Sequence, residues 1–478
     1  MATSDPTAQV LRWFEPLTRI PRPSGGEERV AAWLESWAAE RDLATRRDAI
    51  GNLVIIAPGS PGQEQAPAVV LKGHMDMVCE RTPDSEVDPA TEPLVLRREG
   101  DWLCADRTTL GADNGIAIAM ALAILSDPET VHPPLELLFT VDEETGLTGA
   151  TELDPSMLTG RTLLNIDSET EGVLTVGCAG GRQTDITLAL TWEAATGSLH
   201  RLRVHGLRGG HSGVDIHEPR VSANKTLAMV LRDLDGVRAA SLEGGTAHNA
   251  IPRDAEAMVC VADPAAVRAR LATLQAELLA EHGEDEPGLR LSLEIVERPV
   301  GVLMTPASQQ SLVALLSELP HGVAAFSKAI AGLVETSNNM ATVTADPETG
   351  HAAIVSSQRS SVRADLDALC ERIEGISAAL GAVAVTDEGY PGWEPNLDSP
   401  LLARCKAVHL ERSGEEPVVE AIHAGLECGV LGQHCPGMDM ISFGPTIQYP
   451  HSPEERLHLP SVGRTYLFLV DLLAALAS

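Results

Sequence analysis

The 478-residue chain is long enough for two hydrophobic cores, because single cores rarely grow beyond about 250–300 residues. Its 35 basic and 68 acidic residues give a formal net charge of −33, which disfavours nucleic acids and anionic membranes as partners. No secretory signal is visible, no apolar run reaches the roughly 20 residues of a membrane span, and the 8 cysteines form no CxxC pair. These features predict a cytoplasmic protein with reduced thiols.

The first part of the chain alternates helix-like and strand-like stretches. Apolar residues at helical spacing predict a helix over 27–39, and the almost wholly apolar stretch 115–126 predicts a buried helix. Short apolar runs predict strands over 68–78, 135–141 and 162–166. Strands separated by helices predict a layered α/β domain with a mixed, largely parallel sheet.

The pattern changes near residue 183. The stretches 184–190 and 201–205 alternate apolar and polar residues, as strands with one solvated face do. Helical spacing follows over 221–234 and 264–279. This combination predicts an α+β module that is inserted into the first domain.

The α/β pattern returns after about residue 386, with a predicted helix over 400–412, a strand over 439–443 and a closing apolar helix over 463–475. The chain is therefore expected to form one domain from residues 1–182 and 386–478. Residues 183–385 are expected to form a second, inserted domain.

Potential metal-binding side chains follow the predicted strands. His74 and Asp76 end the first of these, and residues two apart in a strand point to the same face. A carboxylate in that position can orient a metal-binding imidazole. Taken alone, His74 has a structural explanation as well, as a histidine buried in a strand.

The same pattern recurs at four further places. Asp113 stands in a turn before the buried helix, Glu143 and Glu144 follow the strand at 135–141, Asp167 follows the next strand, and His451 lies in a later loop. Individually these residues are also explained as a helix cap or as solvated loop acids. If the strands are parallel neighbours, however, the side chains converge at one edge of the sheet, where ligands collect.

So many acids in one place repel one another unless cations neutralise them. Two histidines and three carboxylates suit two zinc ions that share a bridging carboxylate and a bridging water. Other catalytic motifs are weaker: no HExxH and no P-loop occur, and Gly-His-Ser-Gly-Val at 210–214 lacks the last glycine of GxSxG.

Eight motifs together resemble a known family. HMDMV, GADNG, DEETGLTGA, NIDSE, GGHSGVDIH, NAIPR, HAGLECG and SFGP…HSP occur in this order between about residue 15 and the C-terminus. They closely resemble the aminoacylase/carboxypeptidase family of co-catalytic metallopeptidases, and within it the aminoacyl-histidine dipeptidase branch. The resemblance implies a catalytic domain, an inserted lid domain that also mediates dimerisation, and hydrolysis of short peptides.

The resemblance also implies two Zn²⁺ ions per subunit, with Mn²⁺ or Co²⁺ as alternatives. Asp76 would orient an imidazole, Asp113 would bridge the ions, and Glu143 would be the general base. Aspartate at the position of Asp167 accompanies dipeptidase and aminopeptidase activity in this family, whereas glutamate accompanies acylases and carboxypeptidases. The implied metal ligands are His74, Asp113, Glu144, Asp167 and His451.

In the inserted domain, His211 resembles the lid histidine that stabilises the tetrahedral intermediate. Asn249, Arg359 and the Gly425 backbone match positions that hold the terminal carboxylate of the peptide. Both Asn249, in a turn-like Asn-Ala-Ile-Pro, and Arg359 also have ordinary structural explanations.

The predicted activity is hydrolysis of Xaa-His and other unblocked dipeptides by a homodimer. An N-acyl-amino-acid hydrolase or a carboxypeptidase of the same family would use the same metals, and an inactive metal-binding scaffold is an alternative from another class. The scaffold alternative leaves Glu143 unexplained, because holding metal does not require a general base.

Overall fold

The computed structural model describes residues 5–478, which form two compact units. Unit 1 comprises the chain up to Cys178 together with Trp393–Ala421 and Leu426–Ser478. Unit 2 comprises Ala179–Gly392 and Ile422–Gly425. Unit 2 is thus an insertion into the sequence of unit 1.

The first segment of unit 1 contains helices α1 (Pro6–Leu17), α2 (Glu28–Ala39), α3 (Ala112–Ser126), α4 (Glu143–Gly146) and α5 (Thr148–Thr151), and strands β1 (Ala44–Arg47), β2 (Leu53–Ala57), β3 (Val69–His74), β4 (Leu96–Glu99), β5 (Trp102–Ala105), β6 (Leu135–Thr140), β7 (Thr162–Asn165) and β8 (Val173–Cys178). A short 3-10 helix spans Pro155–Met157.

Unit 2 contains helices α6 (Ala223–Asp233), α7 (Pro264–His282), α8 (Pro306–Glu318) and α9 (Arg363–Ala379), and strands β9 (Gly180–Ala189), β10 (Trp192–Ala194), β11 (Ser198–His205), β12 (Gly210–His211), β13 (Val237–Gly244), β14 (Ala250–Ile251), β15 (Ala255–Val261), β16 (Arg290–Pro299), β17 (Val302–Met304), β18 (Gly322–Phe326), β19 (Val334–Asp346), β20 (His351–Ser360) and β21 (Val383–Thr386). Its large sheet has nine strands, and all of their pairings are antiparallel.

The chain then supplies β22 (Val418–Ile422), β23 (Asp439–Ser442), β24 (Ile447–Gln448), β25 (Arg456–His458), α10 (Pro400–Ser413), α11 (Glu427–His434) and α12 (Leu459–Leu476). The main sheet of unit 1 has the order β1-β2-β6-β3-β7-β23-β8-β22. Its four central strands, β6, β3, β7 and β23, are parallel neighbours. Their carboxyl ends therefore meet at one edge of the sheet, which is where ligands collect in α/β folds.

The central strands β3 and β6 are buried along their whole length. All six residues of β3 and all six of β6 are buried, as expected for parallel strands within a layered fold. Helix α3 packs against α1 and β3 and has buried residues on every side. The predictions of a mixed, largely parallel sheet and of a buried helix over 115–126 are confirmed.

Two predicted boundaries were wrong at the edge of this sheet. The strand predicted over 68–78 ends at His74, so Asp76 lies in the following loop rather than on the strand. The helix predicted over 115–126 begins at Ala112, so Asp113 lies in its first turn, where Asp113 and Asn114 have non-helical backbone angles. In both places the chain leaves regular structure where its polar side chains gather.

One helix in the described residues passes a length and hydropathy test for a membrane span, namely α12 over Leu459–Leu476, with a mean hydropathy of 1.4. The helix predicted over 463–475 is thus longer than predicted, because it begins at Leu459. The helix packs against α1 and α10, and 56% of it is buried inside the protein. Its apolar composition is therefore accounted for by packing in the core of unit 1.

Candidate metal centre

The donor side chains of unit 1 come together at the carboxyl edge of its parallel strands. His74 is the last residue of β3, Glu143 and Glu144 open the short helix α4 after β6, and Asp167 follows β7. The side chains of His74 and Asp167 are 1% and 6% exposed. Parallel pairing of the strands thus brings together groups that are far apart in the sequence.

Asp113 lies between the two histidines. Its Oδ1 is 3.1 Å from His74 Nε2, and its Oδ2 is 3.0 Å from His451 Nε2. Asp167 Oδ1 is 3.5 Å from the same nitrogen of His74, and Glu144 Oε2 is 3.1 Å from that of His451. The donors therefore form two groups of three that share the carboxylate of Asp113.

Asp76 contacts His74 at Nδ1, the ring nitrogen that does not face Asp113. Its Oδ1 lies 3.2 Å from His74 Nδ1 and accepts the backbone N–H of Glu143, while Oδ2 accepts from the N–H of Glu144 and from the Ser24 hydroxyl. Burial alone would raise the pKa of Asp76, but hydrogen bonds, first of all to His74, hold it well below its usual range. Asp76 thus remains ionised, which fixes the His74 ring and the start of α4.

The donor set fits divalent cations. Burial would lower the pKa of His74, yet hydrogen bonds to Asp113, Asp167 and Asp76 raise it well above its ordinary value. Hydrogen bonds to Asp113 and Glu144 raise the pKa of His451 to about 11. The surrounding carboxylates therefore stabilise positive charge at both imidazoles. When the rings are neutral, bound metal ions supply this charge instead.

A second observation supports the same fit. One oxygen of Glu144, Oε1, is buried and has no hydrogen-bond partner among residues 5–478. Oxygen and nitrogen donors from His74, Asp113 and Glu144 lie within 4.8 Å of one another. A buried carboxylate oxygen without a donor is costly unless a cation faces it. Two histidines with carboxylates are the ligands that zinc accepts.

Glu143 is placed differently from the donors around it. Burial raises the pKa of its carboxyl group well above the ordinary value, against the opposing charge of His74, and the neighbouring acids Asp167 and Glu427 raise it further. Glu169, which the sequence did not indicate as a site residue, lies near the same acids: burial and the charge of Asp113 raise its pKa to about 8.

Glu455 is a buried carboxylate beside this site that the sequence did not indicate. Its two oxygens accept the backbone N–H groups of Leu110, Gly111 and Ala112 at 2.7, 2.9 and 2.8 Å, and that of Asp113 at 3.4 Å. Glu455 is 2% exposed and stands four residues after His451. Glu455 therefore connects the loop that carries His451 to the loop that carries Asp113.

Arg22 adds a second tie at the same place. Its guanidinium is 1% exposed and donates to the carbonyl oxygens of Met75 and Asp76 at 2.9 and 2.6 Å, and to that of Gly111. Neither Arg22 nor Glu455 stands in an apolar pattern that marks it as buried. No signal in the sequence distinguishes them from surface charges.

The residues singled out in the inserted segment belong to unit 2. His211 Nδ1 accepts the backbone N–H groups of Gly213 and Val214 at 3.2 and 3.1 Å. Burial, and then the nearby charge of Arg359, lower the pKa of His211. The ring is therefore neutral at neutral pH and carries its proton on Nε2, where it is a hydrogen-bond donor.

Arg359 is a buried cation without a counter-ion. It is 8% exposed, and no carboxylate among the described residues lies within 4.0 Å of its guanidinium. One nitrogen donates to the Tyr390 hydroxyl at 2.8 Å, and Nε has no partner in the described chain. A side chain at Gly425 would begin 2.9 Å from the Tyr390 ring. Asn249 is half-buried, and its carbonyl accepts from the Ser212 N–H.

The Glu455 contacts generate a prediction about metal binding. Glu455→Gln should weaken the binding of divalent cations by about 10- to 100-fold. The amide N–H₂ group would face backbone N–H groups of residues 110–113, which now donate to the carboxylate and position Asp113. Isothermal titration calorimetry of the metal-depleted protein measures this. The matched control is Glu454→Gln, since Glu454 is adjacent and exposed. Equal affinities for the two variants would contradict the positioning role of Glu455.

Comparisons with known proteins identify the family of the chain. A family model described as peptidase family M20/M25/M40 matches residues 70–475. The cytosol non-specific dipeptidase of Escherichia coli strain K12 is 38% identical over 468 residues, which cover 96% of each chain.

Solved structures give the same result. The aminoacylhistidine dipeptidase of Vibrio alginolyticus is 37% identical, with a TM-score of 0.89 and coverage of 98% of this chain and 96% of that one. The aminopeptidase PepT of Bacillus cereus shares the fold, with a TM-score of 0.59 at 16% identity and coverage of 99% of both chains. The resemblance that the motifs indicated is thereby confirmed, and the chain belongs to peptidase family M20/M25/M40.

Proposed function

We propose that this protein is a dinuclear metallo-dipeptidase that hydrolyses Xaa-His and other unblocked dipeptides. The observation that carries the proposal is Asp113, whose two oxygens face two histidines, each accompanied by one further carboxylate. The relatives of 38% and 37% identity are named as a cytosol non-specific dipeptidase and an aminoacylhistidine dipeptidase. Both names agree with a dipeptide as substrate.

The proposed ligands of one ion are His74, Asp113 and Asp167, and those of the other are Asp113, Glu144 and His451. Zinc is the proposed metal, and Mn²⁺ or Co²⁺ suit the same donors. Once bound, the two ions supply Lewis acidity, which polarises the peptide carbonyl and makes a water molecule more acidic.

In the proposed mechanism Glu143 accepts a proton from the attacking water and later delivers it to the leaving amine. Nε2–H of His211 donates a hydrogen bond to the oxyanion that forms at the scissile carbon. The contacts that Nδ1 of His211 accepts leave Nε2 as the donor.

Arg359, with Asn249 and the Gly425 backbone, is proposed to hold the terminal carboxylate of the dipeptide. A buried guanidinium without a carboxylate partner in the described chain supports this role, because an unpaired buried charge is costly until an anion binds. Recognition of a free carboxylate would restrict the enzyme to substrates whose C-terminus is unblocked and reaches this group.

A cytoplasmic location, a homodimeric assembly and a lid function for residues 183–385 complete the proposal. The name of the Escherichia coli relative supports the location. The dimer and the lid follow from the family resemblance, and sedimentation of the purified protein measures the oligomeric state.

The first test is release of histidine from Ala-His by metal-depleted protein during titration with Zn²⁺. Activity should rise and saturate near two metal equivalents per chain. Two bound ions without cleavage would shift the search to N-acetylated amino acids and longer peptides, which are substrates of the acylase and carboxypeptidase alternatives. Failure to bind metal would overturn the proposal.

Substitution of the proposed base separates its role from that of a ligand. Glu143→Ala should lower kcat for Ala-His by about 10²- to 10⁴-fold while two equivalents of zinc remain bound, because proton transfer is lost and the ligands are kept. Glu144→Ala at the adjacent position should lose metal. Zinc content by atomic absorption, measured beside kcat, distinguishes the two, and loss of zinc from Glu143→Ala would disprove the assignment.

The carboxylate role of Arg359 is tested with two substrates. Arg359→Met should raise KM for Ala-His by about 30-fold or more, since truncation of one partner of a buried charge pair costs about 2 kcal/mol or more. Hydrolysis of Ala-His amide, which lacks the carboxylate, should change far less. Arg363→Met, at an exposed arginine of the same unit, is the control. An equal effect on both substrates would contradict carboxylate binding.

A further inference from the structure

Lys72 is a buried charge directly beside the metal centre. It lies in β3, two residues before His74, and therefore points to the same face of the strand. Its side chain is 0% exposed. Lysine is almost never fully buried unless it is paired, so its partners explain its position.

The partners of Lys72 are two carboxylates. Its Nζ is 2.9 Å from Asp167 Oδ2 and also forms an ion pair with Glu427 Oε2. The Thr140 hydroxyl donates to the same oxygen of Glu427 at 2.9 Å. Two carboxylates in direct contact with one buried amine are the arrangement in which a buried lysine keeps its charge.

This ammonium lies at a place that would otherwise attract an ion. Oxygen atoms of Glu143, Asp167 and Glu427 lie within 4.8 Å of one another, a spacing at which three carboxylates can hold a metal. Lys72 pairs with two of the three. Because this cation is covalently attached to the chain, a chelator cannot remove it.

The contact with Lys72 also gives the two oxygens of Asp167 different partners. Oδ2 faces the ammonium, whereas Oδ1 lies 3.5 Å from His74 Nε2 at the metal centre. Asp167 is thus held by one oxygen and offers the other. Released from Lys72, the carboxylate is able to rotate and to present both oxygens.

We propose that Lys72, anchored by Glu427, is a positioning residue that fixes Asp167 as a one-oxygen metal ligand and serves as an internal cation of the centre. The inference rests on the proposed function, since it takes Asp167 as a metal ligand. It assigns roles to two side chains, Lys72 and Glu427, that take part in no proton transfer.

The test compares Lys72→Met with the wild-type chain during titration of the metal-depleted protein with Co²⁺. The visible absorption of one of the two bound Co²⁺ equivalents should lose intensity, because a carboxylate binding through both oxygens increases the number of ligands. Calorimetry should show that the variant binds that equivalent about 10-fold or more weakly than the wild-type chain does. The affinity for the other equivalent should stay within about 2-fold of the wild-type value.

Two further variants protect the test against simple misfolding. Lys72→Met with Glu427→Gln removes both buried charges together and should show the same spectral change. The control is Lys225→Met: this partly buried lysine of unit 2 donates to the carbonyl oxygens of Leu316, Ser317 and Leu319. Its loss should lower the melting temperature and leave the cobalt spectrum unchanged.

The outcomes separate this inference from the proposed function. If the wild-type chain binds no Co²⁺, the metal centre itself is disproved. If it binds two equivalents and the double variant has the wild-type spectrum and affinities, Lys72 is only a structural residue and the inference is overturned.

Discussion

Carboxylates can be buried together only where positive charge lies between them, and this constraint governs the arrangement of unit 1. Asp76, Asp113, Glu144 and Asp167 each contact a histidine or a backbone donor, and Glu427 contacts a buried lysine. Desolvation of a lone carboxylate would cost far more than any single contact returns. The fold therefore tolerates these five carboxylates because each of them contacts at least one group of positive potential, and two of those groups are imidazoles that suit a metal.

The strands and loops of unit 1 hold these acidic side chains and their partners in place. Parallel pairing of β6, β3 and β7 brings the ends of three strands to one edge, and the loops beyond them are held by Arg22 and Glu455. In these contacts backbone carbonyls accept hydrogen bonds from Arg22, and backbone N–H groups donate hydrogen bonds to Glu455. Rigid placement of this kind reduces the reorganisation that ligand binding would otherwise require.

The sequence predicted those parts of the molecule that depend on local pattern. Residues 115–126 are apolar on every side, and only a buried helix satisfies such a stretch. His74, Asp113, Glu143, Glu144 and Asp167 follow strands or open a helix, so their convergence required only the parallel order of the strands. The pattern anticipated that these side chains lie near one another but extended β3 past His74, because the apolar residues Met75 and Met77 continue the run into a loop.

Charged residues with a buried role escaped prediction for a physical reason. Nothing near Glu455 or Glu427 in the sequence distinguishes a buried carboxylate from a solvated one, since the partners lie hundreds of residues away. Lys72 alone carried a signal, because it interrupts an apolar strand that is buried on both faces. In unit 2 the His211 tautomer depends on two backbone contacts within a turn, which composition does not reveal.

The contact between Glu455 and residues 110–113 has a consequence for how the protein is made. It joins segments that lie 345 residues apart along the chain. A ribosome releases the Asp113 loop long before it synthesises the carboxylate that receives its backbone N–H groups. This contact cannot form while most of the chain is still being synthesised, and a proteolytic fragment without residues 451–455 lacks both His451 and Glu455. Assembly of the proposed metal centre is therefore postponed until synthesis of the chain is nearly finished.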